Sequence, residues 1–194
     1  MEWDDHAPTW DQDDVVRAYG AAAFESLNSV IGDHGLRGLE GLRVCDFGCG
    51  TGLLTEKLAP RVASIDAVDI STGMLAVLDA KIAKHDWSHV RTSTTVAEDG
   101  GPYDLVVASS VCAFLPDYPG MVADMAKRMA PGAAFVQWDW ELDPSAEDPY
   151  GLSREAIRAA LSGAGLEVLK VDIAFAIPMG EMTMAPLMGL GRKR

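Results

Sequence analysis

The sequence predicts an open α/β fold: a three-layer sandwich around a mostly parallel, seven-stranded sheet with an antiparallel C-terminal hairpin. Three observations carry this reading. From residue 42 onward, short runs rich in valine and isoleucine alternate with segments of helical periodicity, the pattern of strands joined by crossover helices. The run Leu105-Val106-Val107-Ala108 is apolar without interruption, as expected of a central parallel strand buried on both faces. The last two extended segments, about 166–177 and 184–191, have no helical pattern between them, and so short a link pairs them antiparallel.

The elements follow in order. Residues 1–10 carry Trp3 and Trp10 among acids and Pro8, and read as an extended arm. From about Asp11 to Ile31, Val15, Val16, Tyr19, Ala23, Leu27 and Val30 recur at helical spacing. A glycine-rich connector leads to a first strand over 42–47, then a helix from Leu53 that stops near Pro60. The second strand runs over 62–70. Ser71 is placed as the N-cap of a helix to about Lys84, and a third strand covers 90–97. The fourth strand spans 104–110, a helix 116–129 and the fifth strand 133–140. An acidic loop over 141–151 precedes a helix capped by Ser153. Residues 1–41 are therefore expected to be an N-terminal arm and lid helix, and 42–194 the sheet domain, forming one structural domain overall.

Composition narrows the partners. The formal net charge of −13 repels phosphate backbones and anionic lipid, so neither nucleic acid nor a membrane surface is expected. The acidic, aromatic N-terminus is unlike a signal peptide, and a cytoplasmic location is the expectation. Cys45, Cys49 and Cys112 have neither the pairing of a disulfide framework nor the spacing of a zinc site; no metal is expected.

The chemistry concentrates at Asp46-Phe47-Gly48-Cys49-Gly50-Thr51-Gly52, a strand end, a glycine turn and a helix start. That order places backbone N–H groups and a helix N-terminus at the carboxyl edge of the sheet, where such folds bind ligands. Asp69 ends the second strand about twenty residues on, the placement from which a carboxylate takes both hydroxyls of an adenosine ribose. Asp46 decides between ligands. A carboxylate beside the turn repels pyrophosphate and welcomes an ammonium or sulfonium. The spacing is also G-x-G-x-G, with Leu53 where a dinucleotide fingerprint needs its third glycine. The site selects adenosine attached to a cationic group.

At these residues the chain resembles the class I S-adenosylmethionine-dependent methyltransferases, which have a Rossmann-like fold. Residues 46–52 look like the family's first motif, Val68-Asp69-Ile70-Ser71 with Met74 like its second acidic strand end, and Tyr103-Asp104-Leu105-Val106 like its fourth strand. Met129-Ala130-Pro131-Gly132-Ala133 resembles the turn into the fifth strand, and Pro186-Leu187-Met188-Gly189 the reversed last strand. The resemblance implies S-adenosylmethionine as cofactor and S-adenosylhomocysteine as product. Gly48, Cys49 and Gly50 would carry the methionine moiety, Asp46 its ammonium, directly or through water, and Asp69 the ribose. Ile70 and Met74 would pack on adenine, with Ala97 and Glu98, or Asp99, at the base edge. Ser109 and Tyr19 complete the expected set.

Methyl transfer needs alignment rather than a protein nucleophile, and the acceptor half is correspondingly faint. Ser110, Cys112, Asp139 and Glu141 are candidates to orient or deprotonate an acceptor. A histidine common in relatives after the fourth strand is replaced by Ala113-Phe114-Leu115-Pro116, and no N-P-P-[YF] sequence follows that strand. The reading is a methyltransferase acting on a small-molecule acceptor. The alternative is a non-catalytic S-adenosylmethionine binder that acts through a partner.

Overall fold

The computed structural model describes residues 3–36, 38–147, 149–180 and 182–194. Met1, Glu2, Arg37, Asp148 and Glu181, which fall in the predicted arm, connector, acidic loop and final link, lie outside the described residues. In chain order the elements are α1 (Trp3–Trp10), α2 (Asp14–Asp33), β1 (Arg43–Phe47), α3 (Thr55–Leu58), β2 (Ser64–Val68), α4 (Thr72–His85), β3 (Val90–Ser93) and β4 (Tyr103–Ser109). Then come α5 (Tyr118–Lys127), β5 (Met129–Asp139), α6 (Arg154–Gly163), β6 (Leu166–Ile173), β7 (Ile177–Met179), β8 (Met182–Met184) and β9 (Leu187–Lys193). Single 3-10 turns occupy Ala59–Arg61 and Cys112–Phe114.

Seven strands form one sheet in the order β3-β2-β1-β4-β5-β9-β6. Only β9 runs against its neighbours, pairing antiparallel with both β5 and β6. The chain leaves β1 toward β2 and β3, then returns to place β4 on the other side of β1. That reversal opens a crevice above the carboxyl end of β1, where the glycine turn lies.

Alternating side chains supply the two cores. Val44, Ile65, Val107 and Trp138 face α2, α3 and α4, meeting Leu27, Leu58 and Leu78. Cys45, Val106 and Phe135 face α5 and α6, meeting Val122, Ile157 and Leu161. Period-2 alternation thus divides one sheet between two helical layers. Helix starts are set by short polar caps: Asp13 accepts from the Val15 N–H at 2.7 Å, and Ser71 accepts from the Met74 N–H at 3.1 Å.

Three expectations are corrected. Trp3–Trp10 is a helix, not an extended arm. Asp4 bonds to Ser71 and Gly73 at the start of α4, Asp11 pairs with Lys81 farther along it and Trp3 packs on Phe114, and this docking outweighs the hydrogen bond lost at Pro8. The third strand stops at Ser93 rather than Ala97, where its parallel pairing with β2 ends. Between the last two sheet strands lies an additional antiparallel hairpin, β7–β8, whose first strand takes the end of the predicted sixth strand. Among the described residues, no helix is long and apolar enough to cross a membrane.

Candidate active site

Six polar side chains are buried among the described residues: Asp46, Thr51, Thr55, Ser71, Gln137 and Asp139. All belong to the carboxyl ends of β1 and β5, to the turns leaving β1 and β2, or, for Thr55, to the start of α3. Burying polar groups costs stability unless they are hydrogen-bonded, and their concentration at one edge marks the place where chemistry overrides packing.

The glycine turn is built from β2. Val68 carbonyl oxygen accepts from the Gly48 N–H at 2.7 Å and the Cys49 N–H at 3.0 Å. Asp69 then uses both carboxylate oxygens: Oδ2 accepts from the Gly50 N–H at 2.8 Å and Oδ1 from the Ser71 N–H at 2.9 Å. Each oxygen retains acceptor capacity for a hydroxyl. Gly48 and Gly50 both have φ in the left-handed region, at +71° and +54°, where a side chain is strained. Their surroundings differ. A Cβ on Gly48 would lie 2.5 Å from Val111, whereas a Cβ on Gly50 would meet nothing within 4 Å. Gly48 is bare so that the turn can close; Gly50 is bare beside open space, as a ligand lying along the backbone requires.

Asp46, 1% exposed, accepts from the Thr55 hydroxyl at 2.6 Å. Burial pushes its carboxyl up to about 6, with Asp69 adding repulsion and the Thr55 hydrogen bonds opposing. Because this lies above the ordinary value near 3.9, Asp46 favours the ligand-free fold most below about pH 4. That contribution, roughly 3 kcal/mol, is lost as the pH rises through about 6. A cationic ligand group inverts the preference, since it pairs with the ionised carboxylate.

The N-terminal segment crosses this edge. Asp4 Oδ1 accepts from the Ser71 hydroxyl at 2.6 Å and the Gly73 N–H at 2.7 Å, and these bonds hold its carboxyl below the usual range. On the far side of β1, the Trp3 ring meets Phe114 edge-on at 5.2 Å. Asp11 accepts from the Thr51 hydroxyl at 2.6 Å and pairs with Lys81 at 2.7 Å, which also holds Glu56. Residues 3–11 are thereby fastened to the glycine turn, to α4 and to the turn after β4.

The Tyr19 hydroxyl donates to the Trp138 carbonyl at 3.5 Å, on the side of Ser109 and Ser110, and burial pushes its pKa up. Ser110 is one of two non-glycine residues among those described with positive φ, at 55°, a backbone conformation concentrated at functional sites. Cys49 is buried, its thiol pushed up first by burial and then by Asp46 and Asp69, so it is a neutral packing group. Ile70 stands 81% exposed at the rim, whereas Met74 is buried in the first turn of α4.

Two groups of candidates fall elsewhere than expected. Ala97 and Glu98 do not join the turn: their carbonyls accept from Arg128 at 2.8 and 3.3 Å, and Arg128 precedes β5 at the opposite edge of the sheet. With β3 ending at Ser93, the residues leaving its carboxyl end are Thr94 and Thr95. Glu141 is engaged by Arg154 at 2.8 Å. Asp139 is the last residue of β5 and wholly buried. It accepts from the Ala113 N–H at 3.1 Å and the Gln137 amide at 3.2 Å, and Gln137 in turn accepts from the Tyr118 hydroxyl at 2.6 Å. Burial pushes its carboxyl up to about 7, with those neutral donors and the Cys112 thiol opposing. Asp139 holds the turn after β4 in place rather than facing solvent.

Sequence reasoning missed Asp4, Asp11, Thr51, Thr55 and Lys81. The two threonines sit inside and just after the glycine motif, and hydroxyls beside a buried carboxylate were a readable signal. The contacts of Asp4 and Asp11 span 67 and 40 residues and carry no local pattern.

Residues 45–135 match the family model described as a methyltransferase domain. Proteins named ubiquinone biosynthesis O-methyltransferase are similar: that of Aromatoleum aromaticum is 32% identical over 99 residues, 49% of this chain and 42% of the relative. That of Psychrobacter cryohalolentis is 26% identical over 133 residues, 66% of this chain and 49% of the relative. The chain spans about half the length of these relatives. Among solved structures, the N-methyltransferase NodS of Bradyrhizobium japonicum with S-adenosyl-L-homocysteine superposes with TM-score 0.73 at 20% identity, covering 99% of this chain and 94% of NodS. Magnesium protoporphyrin IX methyltransferase of Synechocystis with bound S-adenosylmethionine gives 0.71 at 20% identity, covering 93% and 82%. Over residues 45–135 the chain is therefore similar to a methyltransferase domain, and its fold is shared with methyltransferases solved with S-adenosylmethionine or S-adenosylhomocysteine bound.

Proposed function

We propose that this chain transfers a methyl group from S-adenosylmethionine to a small-molecule acceptor. The observation that carries the proposal is the set of Asp46, the bare backbone at Gly50, and Asp69 at the carboxyl ends of β1 and β2. Asp69 receives the ribose hydroxyls while it fixes the Gly50 and Ser71 N–H groups. Asp46 receives the ammonium, and Thr55 keeps that carboxylate oriented. Ile70 and Met74 serve the adenine, with Thr94 and Thr95 at the base edge in place of Ala97 and Glu98. Ser109 and Tyr19 close the methionine side, and residues 3–11 shield the crevice from water.

Bound there, the cofactor supplies an electrophilic methyl carbon whose bond to sulfur breaks, its electron pair staying on sulfur, as an acceptor lone pair forms the new bond. The protein aligns the two partners, an effect worth up to roughly 7–11 kcal/mol. Small-molecule acceptors are supported by the O-methyltransferase names of the relatives.

The test is transfer of labelled methyl groups from S-adenosylmethionine into a small-metabolite extract. A labelled product that disappears with Asp69→Ala is expected. Saturable cofactor binding with no labelled product, from extracts that support a control methyltransferase, would favour the non-catalytic alternative.

A further inference from the structure

Four large apolar side chains are exposed among the described residues: Ile70, Phe114, Tyr150 and Ile173, at 81%, 44%, 39% and 46%. They are not scattered. Ile70 lies just beyond β2, Phe114 beyond β4, Tyr150 beyond β5, and Ile173 ends β6. These strands are parallel, so all four side chains stand along the edge that carries the glycine turn. Isolated exposed apolar residues mean little, but a row of them beside a binding crevice marks an interaction surface.

The part of this row between β4 and β5 is aromatic. Phe114 and Tyr150 meet at 5.1 Å between ring centroids with planes inclined by 46°, and Trp3 closes on Phe114 at 5.2 Å, edge-on. Trp3 is in turn buttressed by Trp10 at 6.0 Å. The wall therefore joins α1, the turn after β4 and the loop after β5, which otherwise make no continuous layer.

Charge defines what this wall accepts. The segments leaving the carboxyl ends of β1, β2, β4, β5 and β6 (48–54, 69–71, 110–117, 140–153 and 174–176) contain no lysine, arginine or histidine. Arg154, the first residue of α6, is committed to Glu141 and Asp172 at 2.8 Å each. Apart from His6 on α1, a phosphate or carboxylate arriving here finds carboxylates, and desolvating it with so few positive partners is costly. A flat apolar ring finds aromatic faces and edges that reward offset or edge-to-face contact.

We infer that Trp3, Phe114 and Tyr150 form the acceptor subsite, and that it takes a planar aromatic ring system bearing no anionic group. This rests on the methyl-transfer reading above. A protein partner fits the observations less well, because the exposed aromatic surface here is confined to two partly exposed rings, Phe114 at 44% and Tyr150 at 39%.

The test is calorimetry at pH 7.5 on the full chain saturated with S-adenosylhomocysteine, using three probes: 2-naphthol, 2-naphthoate and decahydro-2-naphthol. The first is flat and neutral, the second flat and anionic, and the third has the same carbon skeleton without planarity. The expected result is binding of 2-naphthol at least about tenfold tighter than either of the others. Phe114→Ala and, independently, Tyr150→Leu should each weaken it about fivefold or more, and Tyr150→Leu, which leaves the Trp3–Phe114 contact in place, should leave S-adenosylhomocysteine affinity unchanged. The inference is overturned by no 2-naphthol binding to the loaded protein, by equal or tighter binding of 2-naphthoate or the saturated alcohol, or by indifference to both substitutions. A solution dimer that Phe114→Ala dissolves would assign the wall to a second copy and overturn it likewise. Failure to bind S-adenosylhomocysteine at all is a different outcome, and sinks the cofactor reading instead.

Discussion

Asp69→Ala is expected to weaken S-adenosylhomocysteine binding at least about a hundredfold by calorimetry, roughly 3 kcal/mol. The effect is large because one carboxylate performs two tasks. It accepts from the Gly50 and Ser71 N–H groups, so its removal unpairs two backbone donors and loosens the turn that the ligand lies along. It also supplies the acceptors for the ribose, and hydrogen bonds to a charged group contribute about 1.5–3 kcal/mol each. Asp69→Asn separates the tasks. The amide retains one carbonyl acceptor and loses the charge, so an intermediate loss of about tenfold is expected. Loss of affinity no greater for Ala than for Asn would contradict this division of roles.

Trp138→Ala is expected to give the largest loss of stability, about 3–5 kcal/mol, seen as a fall in melting temperature of about 10 °C. Trp138 is 0% exposed on β5, and its indole N–H donates to the Ser26 hydroxyl on α2 at 2.8 Å. The substitution leaves a cavity in the α2 side of the core and removes the indole donor from the Ser26 hydroxyl, which keeps its own bond to the Ala23 carbonyl at 2.8 Å. It also frees the helix that aims Tyr19 at Ser109 and Ser110. Cofactor affinity should therefore fall along with stability, whereas Trp138→Phe, which fills most of the space, should recover most of the stability and little of the hydrogen bond. A melting temperature within about 2 °C of the parent for Trp138→Ala would contradict the packing argument.

The sheet was legible because its signals are local. Leu105–Ala108 could only be a doubly buried strand, and Ser71 and Ser153 announced the helices they cap. The glycine turn was legible for a related reason: Asp46, Gly48 and Gly50 must be close in sequence to share one bend. What was not legible depends on contacts distant in sequence. Pro8 argued for an extended arm, and only docking against α4 reveals why Trp3–Trp10 folds as a helix. The strand over 90–97 was read four residues too long because Thr94, Thr95 and Val96 suit a strand locally, while the partner strand β2 runs out opposite Ser93. That error displaced the base-edge assignment to Ala97 and Glu98. Asp139 was singled out to orient or deprotonate an acceptor, whereas its burial beneath the Cys112–Phe114 turn, which makes it a brace for that turn, follows from the β4–β5 pairing.

The central claim is that a buried carboxylate beside a bare backbone turn selects an adenosine bearing a positive charge. Calorimetric titration of the full chain with S-adenosylhomocysteine and with NAD, each at pH 8 and pH 5, tests it most directly. Because Asp46 ionises at about 6, S-adenosylhomocysteine should bind at pH 8 and about tenfold more weakly at pH 5, and NAD should give no binding heat at either pH. Binding of NAD without S-adenosylhomocysteine, or S-adenosylhomocysteine affinity that holds or rises at pH 5, would contradict it.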